Sequence, residues 1–598
     1  MNESMHSAHR SVRLHEVDLQ SGLLLLLLAC SLSTPLAAAT PKPDFGPNVL
    51  IFNPSMPPAA IQVQIDKVYA VQQRSEFGPA RNALFFLPGD YRVDVPVGFY
   101  TQVLGLGASP DSVHITGNVH ADASRPRNNA TCTFWRAAEG FSVTPAGGAN
   151  GTSGTMQWAV SQAVPFRRMH VLGNIVLHQN GGWASGGWMS DSLIDGNVGA
   201  GPQQQWISRN SEWGSWTGAN WNMVFVGVPN PPTGEWPAPP YTKIAQTPIV
   251  REKPFLEVDA QGDYSVRVPS LVANSAGITW HAGATPGISI PIARFYIAHP
   301  GVDTAATLNA QLAQGKNLLF TPGIYELTEA IRVTRPNTVV MGLGFATLRP
   351  INGTAAMTTE DVDGVILAGL LFDAAPTLSP VLLQIGPDGS HLSHAKNPIS
   401  LHDVFFRVGG AGVGRAGINL KINSNDTIVD HTWIWRADHG AGVGWNLNAS
   451  ANGLLVNGNN VTIYGLFVEH HQQFQVLWNG NAGRTYFYQS EIPYDPPDQA
   501  SYSSAAGTNG WASYKVADQV TTHEAWGLGI YSVFRHPNVT LSRAIEVPRV
   551  PGVRFHHMIT VALDNLGEIT HIIDDRGAPA TTAKPRVDPK LTDFPPNQ

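Results

Sequence analysis

Residues 83–107 read "ALFFLPGDYRVDVPVGFYTQVLGLG", and residues 317–344 read "NLLFTPGIYELTEAIRVTRPNTVVMGLG". Both run an apolar strand into a Pro-Gly pair (Pro88-Gly89, Pro322-Gly323), then a tyrosine, an alternating strand and V-x-G-L-G. A run of apolar residues with period two reads as a strand, and Pro-Gly as a turn. A pattern of this length, repeated once, marks two modules of one architecture. Between the copies lies "VGVPNPPTGEWPAPPYTKIAQTPIV", Val226 to Val250, Pro-rich and without periodicity. The organisation expected is a first β-helical module over 40–225, a linker with connecting strands over 226–290, a second module over 291–575, and a loose tail over 576–598.

Composition agrees with many short strands. Charged residues are 14% of the 598, with 59 Gly and 45 Pro, where about a quarter charged is usual. The net charge of −7 carries no long run of either sign, which argues against nucleic acid and anionic membranes as partners. At the N-terminus Arg10 and Arg13 precede "LLLLLLACSL" (Leu23 to Leu32), and "STPLAAAT" supplies small residues at Ala37 and Ala39. That is the order of an export signal, read here as residues 1–39; a signal anchor is the alternative. Removing it leaves Cys132 as the single cysteine, so no intrachain disulfide forms. Glycosylation sequons occur at Asn129, Asn150, Asn352, Asn425, Asn448, Asn460 and Asn538.

A coarser ladder runs through the second module. "GLLFD", "DVFFR", "TWIWR", "GLFVE" and "FYQSE" each end a short apolar strand on a polar residue: Asp373, Arg407, Arg436, Glu469 and Glu491. Such spacing suits coils of a solenoid whose turns vary while its strands stay in register. Equivalent residues on stacked coils lie about 4.8 Å apart, so these five are expected to form one column. Two carboxylates as close as Glu469 and Glu491 cannot both ionise cheaply. One then holds its proton near neutral pH, as the acid of glycosidic cleavage must. The alternative is that each polar residue merely marks a strand exit. Sixteen tryptophans, many beside Gly, Asn, Gln and Ser (180–191, 203–221, 431–445), suit a cleft for sugar rings, although a single Trp more often fills a core.

Other chemistries fit less well. His431, His439, His470, His471 and His523 cluster in sequence without metal-ligand spacing. "GVGRAG" (412–417) and "GAGVG" (440–444) lack the strand-then-helix setting of a phosphate cradle, and "GWASGG" (182–187) lacks that of a nucleophile elbow.

The chain resembles glycoside hydrolase family 55, most closely its bacterial-type members, from about Asp44 to about Thr570. The marks include "WAVSQAVPFRRMHV", "QQWISRNSEWGSWTGANWNMVFVG", "LHDVFFRVGG" and "YGLFVEHHQQFQVLWNGNAGRTYFYQSEIPYDPP". The resemblance implies an all-β protein: two tandem right-handed parallel β-helices of pectate-lyase-like type, side by side with a cleft between them. It implies an inverting exo-β-1,3-glucanase that releases glucose from the non-reducing end of laminarin or cell-wall glucan. Glu491 matches the general acid and Glu469 the second acidic residue, which helps hold the attacking water. Gln162 and Ser185 match first-module members of that water network, and Trp435, Asp438 and Tyr494 match sugar-contacting positions. No cofactor or metal is implied. β-1,3-Glucan is the expected partner of a monomer, with no nucleic acid and no obligate protein partner. A polysaccharide lyase on the same fold, or a non-catalytic glycan-binding wall protein, are the competing readings.

Adjacent coils give carboxyl spacing near 5 Å, short of the roughly 6.5–9.5 Å usual for inversion. Glu469 is therefore expected to act through Gln162 and Ser185, which makes both modules necessary.

Overall fold

Each Pro-Gly turn is a close approach. A Cβ on Gly89 would stand 2.7 Å from Pro54, and one on Gly323 would stand 2.4 Å from Pro300. The tyrosine that follows anchors both turns identically. Tyr91 donates its hydroxyl to the carbonyls of Phe52 (3.0 Å) and Leu87 (2.7 Å). Tyr325 donates to those of Ala298 (2.8 Å) and Thr321 (2.9 Å). The internal repeat read from the sequence is thus a repeat of structure, and it reaches further upstream than the motif. Each module opens strand, helix, strand: Val49–Phe52, Pro58–Gln72, Asn82–Phe86 in the first, and Phe295–Ala298, Ala305–Ala313, Asn317–Phe320 in the second. The helices bury Ile61 and Ile65 in one core and Leu308 and Leu312 in the other.

The computed structural model describes residues 42–147, 153–564, 566–582 and 587–596. The expected export signal over 1–39 and the sequon at Asn150 lie outside them. In the first module a nine-stranded parallel sheet runs coil by coil from Val49–Phe52 to Tyr241–Ile244, beside an eight-stranded one. The second module is built alike, from a thirteen-stranded and a nine-stranded sheet. Inward-facing side chains of each module form its own core. No helix among the described residues is long and apolar enough to cross a membrane.

Two boundaries differ from the sequence reading. The first module runs past 225 before the expected connecting strands begin. Tyr241–Ile244 pairs in parallel with Asn222–Val226 as the last coil of the first module, because "YTKI" supplies a strand once the prolines have turned the chain. Small antiparallel sheets then fill Thr247–Ser275 and Phe255–Pro291. The tail is not loose throughout either. Lys590–Phe594 pairs antiparallel with Val553–Ala562 and buries Phe594, an apolar anchor that satisfies one sheet edge.

The modules meet across a third core, rich in aromatics. Trp135, Phe134 and Trp188 from the first pack with Trp433, Trp435, Phe405 and Phe467 from the second. Beside it lies a buried ion network. Arg167 pairs with Asp403 (2.9 Å) and Asp430 (2.8 Å), and Arg209 with Asp430 (2.8 Å) and Glu252 (2.6 Å). Lys253 bridges Glu139 (2.8 Å) and Asp403 (2.9 Å). All seven groups are buried. Buried charges persist only when paired and hydrogen-bonded, so this network admits one docking of the two modules.

The sequon at Asn448 carries no glycan in this fold. Its side chain is fully buried and donates to the carbonyls of Val408 (3.0 Å) and Ala437 (2.8 Å).

Candidate active site

Four successive coils of the second module carry the candidate residues: strands Ile428–Arg436, Thr462–Glu469, Gly483–Glu491 and His523–Ser532. Register places Asp373 beside Arg407, Arg407 beside Trp435, and Trp435 beside Glu469. Phe467 pairs with Gln489, and Glu491 pairs with Tyr531. Two residues beyond the Phe467–Gln489 pair stand Glu469 and Glu491, on adjacent coils as expected. The column differs at one position. Arg436 pairs with Val408, one residue out of line, and Trp435 takes its place. A one-residue slip sends a side chain to the opposite face. Arg436 accordingly turns away to a bidentate pair with Asp495, both contacts 2.8 Å.

Glu469 is 3% exposed. Its Oε1 accepts from the Gln162 amide at 2.8 Å, and its Oε2 from the Trp433 indole at 2.9 Å. Gln162 comes from the first module, 307 positions away. Burial, then the neighbouring Glu491, push the Glu469 carboxyl upward, while the Trp433 hydrogen bond pulls it back. Burial also raises Glu491, and Asp438 adds to that. With the Tyr494 hydroxyl opposing, its carboxyl stands at about 7. Tyr494 donates to Glu491 Oε2 and sets its ring edge-on against His470, 4.4 Å between centroids. His470 bonds the Ile492 carbonyl through Nδ1 (3.1 Å). Its Nε2 lies 3.9 Å from both Glu491 and Asp438. Burial lowers its pKa, so it stands neutral between two carboxyls.

Ser185 accepts from the Gln205 amide at 3.1 Å. The next residue, Gly186, has a φ of +98°, and a Cβ there would meet Phe467 of the second module at 2.9 Å and Gln162 at 3.5 Å. The glycines of "GWASGG" thus let the Ser185 turn press onto the glutamate-bearing strand. The amide oxygens of Gln162 and Gln205 are buried without a hydrogen-bond partner, and Gln489 faces the Glu469 carboxyl without a formed hydrogen bond.

Residues 295–491 match the LAM55 pectate lyase-like domain. The chain is 48% identical over 555 residues to an exo-beta-1,3-glucanase of Streptomyces sp. (strain SirexAA-E / ActE), covering 92% of this chain and 90% of that protein. This chain belongs to glycoside hydrolase family 55. The structure of sacteLam55A from Streptomyces sp. SirexAA-E aligns with a TM-score of 0.89 at 48% identity, over 92% of this chain and 99% of that one. A variant of that enzyme in complex with glucose aligns equally well, at 47% identity over 93% and 99% of the two chains.

In this family 55 chain the remaining candidates divide. Asp438 and Tyr494 are half-buried and converge with Glu491 on His470. Trp435 is 1% exposed, because Phe77 of the first module stacks on it at 6.1 Å and Trp433 at 4.6 Å. It backs the pocket from inside the module interface and presents no face to a sugar. The histidines divide: His439 and His470 both reach Asp438, and the others lie apart. His431 stacks on Trp188 at the interface, His471 bonds Ser450, and His523 lies in the core against Trp478.

Sequence reasoning missed Trp433, Gln205 and Gln489, and weighed His470 only as a metal ligand. Trp433 was findable, since it stands two residues before Trp435 and so on the same strand face. Gln205 had no signal beyond its place in a Gln run.

Proposed function

We propose that the protein hydrolyses β-1,3-glucan from the non-reducing end and releases glucose with inversion. The observation that carries this is the unequal carboxyl pair. Glu491 holds a proton near neutral pH, and Glu469 has both oxygens accepting N–H bonds, which favours its ionised form. Coupled carboxyls titrate as a pair; burial and the Glu491 charge raise Glu469 further than Glu491, so the proton is assigned to Glu491 on geometry alone, both Glu469 oxygens being engaged by N–H donors. Glu491 gives that proton to the glycosidic oxygen as the bond to the anomeric carbon breaks. Water attacks that carbon from the opposite face of the ring. The carbonyl oxygens of the Gln162 and Gln205 amides, together with Ser185, offer acceptors for its hydrogens, and the proton it sheds passes toward Glu469. Asp438 and Tyr494 hold the terminal glucose. The relative named exo-beta-1,3-glucanase supports the substrate and the exo action.

The chain is proposed to act as a monomer, since every piece of the site comes from one copy. It is proposed to be exported behind residues 1–39, and sequencing the N-terminus of the protein recovered from culture medium tests that step.

The deciding experiment is laminarin digestion followed by proton NMR in real time. The expected first product is α-glucose, which then mutarotates. β-Glucose would overturn inversion, internal cleavage products would overturn exo action, and an unsaturated product absorbing in the ultraviolet would establish a lyase.

A further inference from the structure

The first module reaches the pocket a second time, through a loop that the catalytic account does not use. Glu76 and Phe77 follow the helix Pro58–Gln72. Phe77 enters a slot between two glycine turns of the second module. A Cβ on Gly410 would meet its ring at 2.4 Å, and one on Gly440 at 2.8 Å. Gly440 opens the "GAGVG" run, so the lack of a side chain there admits a ring from the other module. Phe77 stacks on Trp435 and sets its edge against His439, 5.5 Å between centroids. Glu76, beside it, accepts from His439 Nε2 at 2.7 Å, and His439 Nδ1 donates to Asp438 at 2.8 Å. Asp438 in turn shares His470 with Glu491.

We infer that Glu76 is a positioning residue for the pocket: through His439 it fixes the aim and charge of Asp438 beside the catalytic acid. The inference rests on the reading of Glu491 as proton donor and Asp438 as a sugar contact.

The surroundings of His439 support a charged ring. Glu76 and Asp438 bond its two nitrogens. Arg125 holds both Glu76 oxygens at 3.1 and 2.9 Å. Cys132 lies within 4.8 Å of Glu76 and His439, and Arg535 lies 3.9 Å from Asp438. Phe134 and Trp435 complete the packing. Glu76, Cys132 and His439 together resemble a metal-ligand set. Arg125 already supplies the cation there, and His439 has no free nitrogen. Burial works against the His439 charge, but the two carboxylates prevail and raise it to about 9. Burial also works against ionised Asp438, and the His439 hydrogen bond brings it down to about 2.

The test compares Glu76→Gln, His439→Gln and the double variant on laminarin across pH 4–9. In Glu76→Gln the imidazolium loses its second carboxylate and discharges near neutral pH. That removes a positive neighbour from Glu491 and moves the alkaline limb of kcat/KM upward by about half a pH unit. KM is expected to rise about three- to tenfold, the scale of one mis-aimed hydrogen bond, with kcat at the optimum changed less than twofold. The double variant should be no worse than His439→Gln alone, as expected for residues acting in series. An unmoved limb with unchanged KM, or strictly additive losses, overturns the inference. So does a loss that is uniform across pH and matched by a lower melting temperature. Wild type lacking an alkaline limb altogether would instead count against Glu491 as the acid.

Discussion

The second module presents two pairs of acids to the first, and they titrate in opposite directions. Asp403 and Asp430 are held far below the usual carboxylate range. Burial would raise both, but Arg167, with Lys253 at Asp403 and Arg209 at Asp430, outweighs it. Glu469 and Glu491 are raised, by burial first. Both pairs lie on neighbouring coils; Asp403, Asp430 and Glu469 are buried, and Glu491 keeps its side chain 18% exposed toward the pocket. What differs is the partner facing them: the guanidinium groups of Arg167 and Arg209 from the first module, with the Lys253 ammonium of the connecting segment, at one pair, and the neutral amide of Gln162 at the other. A cation at Gln162 would hold the pair ionised and remove the proton that cleavage needs. The module interface thus separates a docking device, where charge is neutralised, from a reaction site, where it is left unneutralised.

The docking half is the easier to break. Arg209→Met leaves Asp430 with one cation and Glu252 with none, and about 3–5 kcal/mol of stability should be lost. Calorimetry at neutral pH checks this, and an unchanged melting temperature would show that the network is not structural. On the reactive side, Gln162→Leu removes one donor from Glu469. kcat should fall about 100- to 1,000-fold, the scale of losing one preorganised donor, with the melting temperature kept. A retained kcat would detach the first module from the chemistry.

The pH dependence of stability sharpens the contrast. A carboxyl raised from 4.5 to about 7 binds its proton more tightly in the folded state. Its contribution is present in full below pH 4.5 and is lost as pH rises toward 7. Glu491→Gln should therefore be more stable than wild type at pH 8, by about 3 kcal/mol, and lose that advantage at pH 4. Equal pH dependence in the two proteins would mean the acid is not raised. The smallest effect is expected from Ser185→Ala, about tenfold in kcat, the worth of one hydrogen bond in the water network. A thousandfold loss would give Ser185 a larger part than orientation.

Much of this architecture was legible in the sequence. The doubled Pro-Gly-x-Tyr motif announced two solenoids because the tyrosine and glycine make the same contacts in each. The strand ends bearing Glu469 and Glu491 announced their stacking, because a solenoid keeps register through turns of any length. The slip at Arg436 was not legible. Aligning strand ends assumes that each strand leaves its sheet at the same point, and "TWIWR" runs one residue further. Nor could composition tell that Trp435 is covered. A tryptophan beside glycines looks like an exposed platform until Phe77, from the other module, lies on it. The site's first-module members became traceable only through family resemblance, since residues 307 positions apart leave no local pattern.

The central claim is that Glu491 donates the proton. It is tested most directly by comparing Glu491→Gln on laminarin and on an aryl β-glucoside whose leaving group needs no protonation. The account expects laminarin turnover to fall about 10³-fold or more, with the activated glucoside kept within about tenfold of wild type, since only the proton is missing. Equal losses on both substrates, or near-normal turnover of laminarin, would contradict it.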